Sequence, residues 1–276
     1  MSTIKKSAAK DMTTGNIAIL LISFAIPLIL GNLFQMFYNT VDSIVVGKFV
    51  STQALAAVGS TTMIVNMLVF FFNGVSIGAG VVISRYFGAR DYEKLHEAVE
   101  TTMLLTFVLG IVFTFIGIGC VNPMLKFMAT PEDVMADAIT YLQIYFAGIS
   151  GLLVYNMGSG ILRAVGDTRR PLYFLIFTSL VNVVLDLIFV LLFHAGIAGV
   201  AYATIVSQFI SAFLILKLLS GTKDVYYLSF KDLRFNTGIL ADILKIGLPT
   251  GIQSTITGFS NVFVQSYINF FGSACM

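Results

Sequence analysis

Long uncharged apolar stretches make up most of the chain, and short polar segments separate them. A membrane helix needs about 20 mostly apolar residues, and seven stretches reach that length. The pattern therefore predicts an all-α polytopic membrane protein. The predicted spans are 17–46, 54–84, 101–121, 138–162, 171–193, 195–216 and 246–276.

The composition supports a membrane protein. Hydrophobic residues make up 57% of the chain and charged residues only 11%, against about 25% charged in an average soluble domain. A water-soluble fold of this size could not hide so much apolar surface. The net charge of +2 gives no indication of a nucleic-acid partner. Because Cys120, Cys275, His96 and His194 fit no disulfide framework or metal spacing, we expect no resident cofactor.

The basic residues are distributed unequally between the two sides of the predicted membrane. Fourteen of the sixteen Lys and Arg residues fall on the side of the N-terminus, and only Lys48 and Lys126 fall on the other. The positive-inside rule therefore places the N-terminus in the cytoplasm. The first apolar stretch lacks the small-residue cleavage site of a signal peptide, so we interpret it as a membrane helix.

A weak internal repeat links the seventh span to the first. When Pro249 is set over Pro27, the same offset places Phe259 on Phe37. Repeated halves are common in secondary transporters, although chance similarity between two apolar helices is the alternative. We therefore expect a truncated second lobe. The expected organisation is a cytoplasmic segment 1–16, a six-helix lobe 17–216, a cytoplasmic linker 217–245, and a seventh helix 246–276 that begins an incomplete second lobe.

Two acidic residues interrupt the otherwise uncharged spans. Asp42 lies in the first span and Asp186 in the fifth, and the other acids lie in loops or at helix ends. An Asp in the centre of a membrane helix costs roughly 2.5–3.5 kcal/mol on insertion scales, so it usually has a partner or a function. No Lys, Arg or His lies inside any predicted span. The partner must therefore be a proton, a metal cation, a cationic substrate, or a residue outside the chain.

Helix geometry predicts that several polar groups meet the acids. Asp186 is about 22 Å along its helix from Pro171, Asn182 precedes it by one turn on the same face, and Thr204 lies at a similar depth. Asp42, Asn182, Asp186 and Thr204 could thus form a cluster of oxygen ligands from three helices. Such ligands suit a small cation such as Na⁺, and buried acids can also bind a proton. The alternative is that each Asp only bonds a neighbouring hydroxyl or amide.

Further polar residues lie within the spans. Gln35 and Tyr38 share the face of Asp42, and Tyr141 and Asn156 lie in the fourth span. A functional role and a helix-packing role remain open for each of these four residues. Three glycines of the second span are expected to let neighbouring helices approach closely: Gly74, Gly78 and Gly80.

Four motifs resemble one transporter family. They are IPLILGNLFQMFYNTVDSIVVG in the first span, NxxxGILRAVGDTRRP at 156–171, NVVLD at 182–186, and GIAGVAYAT at 196–204. Together they resemble the multidrug and toxic compound extrusion (MATE) transporters, and most closely the DinF-like prokaryotic branch. The resemblance covers essentially the whole chain.

This resemblance implies a fold and a function. Such transporters have twelve helices in two six-helix lobes, and they exchange Na⁺ or H⁺ for drug-like, often cationic, compounds across the plasma membrane of bacteria or archaea. The chain would then be the N-terminal lobe with the seventh helix, in contact with lipid, a small organic substrate and a missing C-terminal lobe. The resemblance assigns cation binding to Asp42, Asn182, Asp186 and Thr204, and substrate binding or proton coupling to Gln35, Tyr38, Tyr141 and Asn156.

Three other functions are compatible with a polytopic membrane protein. A lipid-linked oligosaccharide flippase shares the same superfamily, but it would be expected to carry cationic residues in its cavity, and the predicted spans contain none. An intramembrane aspartyl protease would use two acids as a catalytic dyad. Its Tyr-Asp and Gly-x-Gly-Asp motifs are absent around Asp42 and Asp186, so we expect no enzyme. A purely structural membrane subunit is the third alternative.

Overall fold

The computed structural model describes residues 15–231 and 233–270, which form eight helices joined by short connections. Most of the predicted cytoplasmic segment 1–16 and the last six residues of the predicted seventh span lie outside the described residues. The helices are α1 Ile17–Phe49, α2 Thr52–Gly88, α3 Tyr92–Phe127, α4 Glu132–Ala147, α5 Ile149–Ala164, α6 Arg169–Leu187, α7 Gly196–Gly221 and α8 Thr237–Phe270.

Polar caps set where several of these helices begin. The Asn16 side chain accepts from the Ala18 and Ile19 amides at the start of α1. Ser51 caps α2 by accepting from the Ala54 amide. Such caps satisfy backbone N–H groups that have no partner in the first helical turn. They explain how connections of only two or three residues can separate such long helices.

The described helices agree with six of the predicted spans. By length and composition, α1, α2, α3, α6 with its π-helical extension, and α7 can each cross a membrane, and the bent pair α4–α5 forms a sixth span. The predicted seventh span lies in α8, which is long enough to cross but does not reach the apolarity of the others. It carries polar side chains throughout its length, including Gln253, Gln265 and Asn269.

The fourth predicted span is not one continuous helix, contrary to expectation. The chain bends by 51° between α4 and α5 at Gly148. A β-carbon on Gly148 would lie 2.5 Å from the Ile205 side chain of α7. The absence of a side chain lets α7 approach the bend, and this contact is invisible in the apolar pattern. Glycine is one of the identifiable causes of helix kinks.

Helices α2 and α8 pack through their glycines. A β-carbon on Gly78 would lie 2.5 Å from the Gly247 Cα, and Gly74 faces Gly251 at similarly close range. Gly80 is different, because the nearest atom to a β-carbon there is the Gly160 carbonyl at 4.0 Å. The expectation of close helix approach is therefore confirmed for Gly74 and Gly78 and wrong for Gly80.

The connection between the six-span lobe and α8 is shorter and better packed than the predicted linker 217–245, since α7 and α8 extend into it from both sides. Tyr226 and Leu228 are 0% and 2% exposed and pack into the core. Burial raises the pKa of the Tyr226 hydroxyl, which donates to Asp224 Oδ2 at 3.1 Å. The segment is thus anchored to the lobe by one aromatic and one aliphatic side chain.

Candidate functional site

The two predicted acids come from different helices and meet inside the bundle. Asp42 lies in α1, which packs against α6 and α7. Asp186 lies near the end of α6 and is fully buried, at 0% exposure. The Asp42 carboxyl lies within hydrogen-bonding reach of the Asp186 carboxyl. Two carboxylates in contact repel each other unless a proton or a cation lies between them.

Asn182 joins the acids to α7. The Asn182 amide is assigned in the orientation that gives both its nitrogen and its oxygen a hydrogen-bond partner. In this orientation Nδ2 donates to Asp42 Oδ1 at 3.0 Å, and the oxygen accepts from the Thr204 N–H at 3.3 Å. Asn182 and Thr204 are 1% and 2% exposed. The structure therefore brings together all four side chains that the sequence placed in one cluster.

Two tyrosines complete the surroundings of the acids. The Tyr38 hydroxyl lies within hydrogen-bonding reach of the Asp42 carboxyl and the Thr204 hydroxyl. Tyr141 is buried close to both acids. Both residues thus lie in the acid cluster, in addition to the four oxygen-bearing side chains that define it.

Gln35 and Asn156 lie elsewhere. Gln35 is exposed, and Asn156 Nδ2 donates to the Leu152 carbonyl at 2.9 Å. Both residues line a polar cavity of about 150 Å³ between α1, α5, α6 and α7, together with Asn182 and Thr204. They also line a larger groove of about 1140 Å³. The cavity therefore runs from the level of the acids toward these two amides.

Three features of the site were missed from the sequence. The first is a π-helical turn, Ile188–Leu192, directly after α6. π-Helical turns are frequent at functional sites, and no residue type in this apolar run indicates one. The others are Tyr145, whose ring stacks on Tyr141 with centroids 6.2 Å apart, and Gln208, within hydrogen-bonding reach of Tyr145. Gln208 follows Thr204 by one turn, and its polarity within an apolar span could have drawn attention to it.

Arg163 corrects the expectation that no cationic residue enters the spans. The predicted fourth span ended one residue before it, but α5 continues through it to Ala164. Its side chain lines both the polar cavity and the larger groove. The lobe interior therefore has a positive group at one end and two acids near the other.

The oxygen groups of the site suit a hard cation or a proton. They comprise two carboxyls, one amide and hydroxyl groups, which are the ligands of alkali and alkaline-earth ions. Among the described residues, no group of three or more His, Cys, Asp or Glu side chains could hold a metal ion. Two oxygens of the site, Asp186 Oδ1 and Gln208 Oε1, are buried without a hydrogen-bond partner in the described part of the chain.

Comparison with known proteins relates this geometry to transporters. The MatE family model matches residues 27–188. The chain is 33% identical to the probable multidrug resistance protein YpnP of Bacillus subtilis, over 96% of this chain and 59% of that protein. The chain thus spans well under two thirds of that relative's length.

Solved structures agree with this relationship. An outward-facing multidrug resistance MATE family transporter of the MOP superfamily is 28% identical, with a TM-score of 0.82 over 89% of this chain and 54% of that one. A MOP superfamily transporter from Pyrococcus furiosus is 27% identical, with a TM-score of 0.85 over 95% and 58% of the two chains.

Proposed function

Because this chain belongs to the MatE family, whose members are transporters and not enzymes, we propose that it carries the coupling site of a cation-driven exporter of drug-like compounds. The chain spans 59% of the length of YpnP. The activity therefore belongs to a transporter that combines this chain with the remaining part of its relatives, which we assign to a second lobe. An aspartyl protease is not favoured, since the family consists of transporters.

One contact carries this proposed function, namely that between the carboxyl groups of Asp42 and Asp186. Two negative charges within hydrogen-bonding reach of each other repel strongly in a medium of low dielectric constant. Binding of one proton or one cation removes the repulsion and allows α1 and α6 to approach. The occupancy of the pair by an ion thus changes the relative energy of two helix arrangements, which is what a gradient-driven transporter requires.

A proton and Na⁺ are both candidates for the coupling ion. Asn182 has a hydrogen-bond partner at both ends when its Nδ2 faces Asp42 and its oxygen faces the Thr204 N–H. An NH₂ group donates hydrogen bonds but cannot bind a cation, so Na⁺ bound by Asn182 needs the opposite amide orientation. A proton shared by the two carboxyls is compatible with either orientation.

Organic cations are the substrates that we propose, because a positive group can neutralise the same acids. A lipid-linked oligosaccharide flippase is the second candidate, since Arg163 supplies a positive charge in the cavity. We place the multi-pass protein in the plasma membrane of a bacterium or an archaeon with its N-terminus in the cytoplasm, from the distribution of Lys and Arg.

Efflux from proteoliposomes tests this function. The complete transporter, made of this chain and its second lobe, is reconstituted as the wild type, Asp42→Asn or Asp186→Asn. A fluorescent organic cation is loaded, and H⁺ or Na⁺ gradients are imposed separately. Each variant keeps the shape of the side chain but removes its charge, so we expect gradient-driven efflux to be lost. Asp133→Asn, an exposed acid in the first turn of α4, is the matched control and should pump normally. Wild-type efflux by both intramembrane variants would overturn the coupling role.

A further inference from the structure

Arg163 is a partly buried cation that lies between two cavities. It occupies the last turn of α5, one residue before the end of the helix. Both the polar cavity and the larger groove include it in their walls. Among the described residues, every other one that lines either cavity is uncharged. The guanidinium is thus the single charge that this part of the chain presents to a ligand in either space.

No acidic side chain neutralises Arg163 in the described part of the chain. The other arginines with short contacts have clear partners: Arg85 pairs with Asp242 at 2.7 Å, and Arg170 with Asp167 at 3.3 Å. For Arg163 the structure gives no ion pair or hydrogen bond among the described residues, and Tyr155 is its ionisable neighbour. Buried charges are normally paired, so this guanidinium has the capacity to bind an anion.

The groove beside Arg163 has the size and lining of a ligand site. Helix α2 packs against both α1 and α5 and contributes the largest share of the groove lining. From α1 the groove takes Asn32 and Gln35, and from α5 it takes Asn156 and Arg163. Its volume of about 1140 Å³ is slightly larger than the usual range of about 300–1,000 Å³ for small-molecule sites.

We propose that this groove binds an organic acid, with the acidic group on Arg163 and the apolar body along α1 and α2. A guanidinium binds a carboxylate or phosphate with two parallel N–H···O bonds. The amides of Asn32, Gln35 and Asn156 can donate or accept along the body of the ligand. The apolar part of the wall includes Phe24 and Leu28 of α1 and Val69 and Phe70 of α2. This binding does not require the coupling acids.

Fluorescence titration in a neutral maltoside detergent tests the site. The probe is 11-(dansylamino)undecanoic acid, and its methyl ester is the uncharged comparison. We expect the acid to bind the wild-type protein at least about tenfold more tightly than the ester, because a charged hydrogen bond is lost with the ester. Arg163→Gln should weaken binding of the acid by a similar factor and leave binding of the ester unchanged, which also reports that the variant is folded.

Two further variants separate this site from a general effect of charge. Arg163→Lys keeps the positive charge but loses the two-bond geometry, so it should restore part of the affinity. Arg169→Gln removes an exposed arginine that lines neither cavity, and it should bind the acid like the wild type. Equal binding of the acid by the wild type and Arg163→Gln, or equal binding of acid and ester by the wild type, would overturn the site.

Competition identifies the source of the acidic group. Displacement of the probe by phosphatidylglycerol but not by phosphatidylcholine identifies a lipid headgroup as the natural ligand. Displacement by octanoate but not by phosphatidylglycerol identifies a soluble organic acid. Both results support an anion site at Arg163, and they differ only in the compartment from which the ligand enters.

Discussion

Gly74 of α2 lies directly against Gly251 of α8, so closely that a β-carbon on Gly74 would overlap the Gly251 backbone. One turn further along, Gly78 makes the same kind of contact with Gly247. The two helices therefore touch through their main chains. Packing of this type depends on the absence of side chains, because there is little hydrophobic driving force between helices in lipid.

Alanine at Gly74 should weaken the packing of α8. The added methyl group must displace backbone atoms rather than a flexible side chain, so we expect a loss of about 1–3 kcal/mol. Gly59→Ala in the same helix is the matched control, because a β-carbon there meets no atom within 4 Å and alanine favours the helix by roughly 0.5–1 kcal/mol. Thermal unfolding in detergent measures both. A midpoint that is the same in the two variants would contradict this packing.

Asn236 should control how firmly the connection is held. Its side-chain oxygen caps α8 by accepting from the Gly238 and Ile239 amides, and its Nδ2 donates to Glu97 of α3 at 2.7 Å. Asn236→Ala removes both interactions and should cost about 1–2 kcal/mol. Limited proteolysis in inside-out vesicles should then cut residues 222–236 faster than in the wild type.

Serine at the same position provides the control. Asn236→Ser keeps a capping oxygen but is too short to reach Glu97, so its cleavage rate should lie between those of the wild type and Asn236→Ala. Cleavage of the 222–236 connection at equal rates in all three proteins would show that the cap does not hold this segment. In the wild type we expect this connection, the longest between described helices, to be cut before the turn between α3 and α4.

Neutral groups around the acids should have graded effects. Asn182→Ala removes the bond to Asp42, and Thr204→Ala removes a hydroxyl within reach of Tyr38. Each change removes a neutral interaction worth roughly 0.5–1.5 kcal/mol. We therefore expect the ion concentration for half-maximal efflux to shift by about threefold to tenfold, without loss of transport. For a proton the shift in Asn182→Ala should be downward, because the Asp42 carboxylate loses a hydrogen-bond donor and binds the proton more tightly. Thr204→Ser keeps the hydroxyl and should match the wild type. Complete loss of efflux in Thr204→Ala would instead assign that residue an essential role.

The orientation in the membrane can be tested with single cysteines. Native Cys120 and Cys275 are first replaced by serine, and cysteines are introduced at Arg90, Lys231 or Lys126. An impermeant thiol reagent added to intact cells should label only the cysteine at Lys126, since the positive-inside rule places the other two positions in the cytoplasm. Labelling of the cysteine at Arg90 or Lys231 in intact cells would reverse the proposed orientation.

The sequence by itself determined where most of the membrane helices lie and which two acids lie within them. Apolar length reports membrane helices because an unsatisfied backbone is too costly in lipid. Asp42 and Asp186 were conspicuous for the same reason, since a charge in lipid carries a large cost. The one-turn spacing of Asn182 and Asp186 then followed from helix geometry alone.

Only the tertiary structure decided which groups touch. The bend at Gly148, the contact of the two carboxyl groups, and the position of Arg163 in the cavity wall depend on how helices pack against one another. An apolar pattern records which residues avoid water, but not which neighbour they meet. The end of a helix is also poorly marked when apolar residues give way to a single arginine. For that reason Arg163 was assigned to a loop from the sequence, whereas in the folded chain it faces the interior of the lobe.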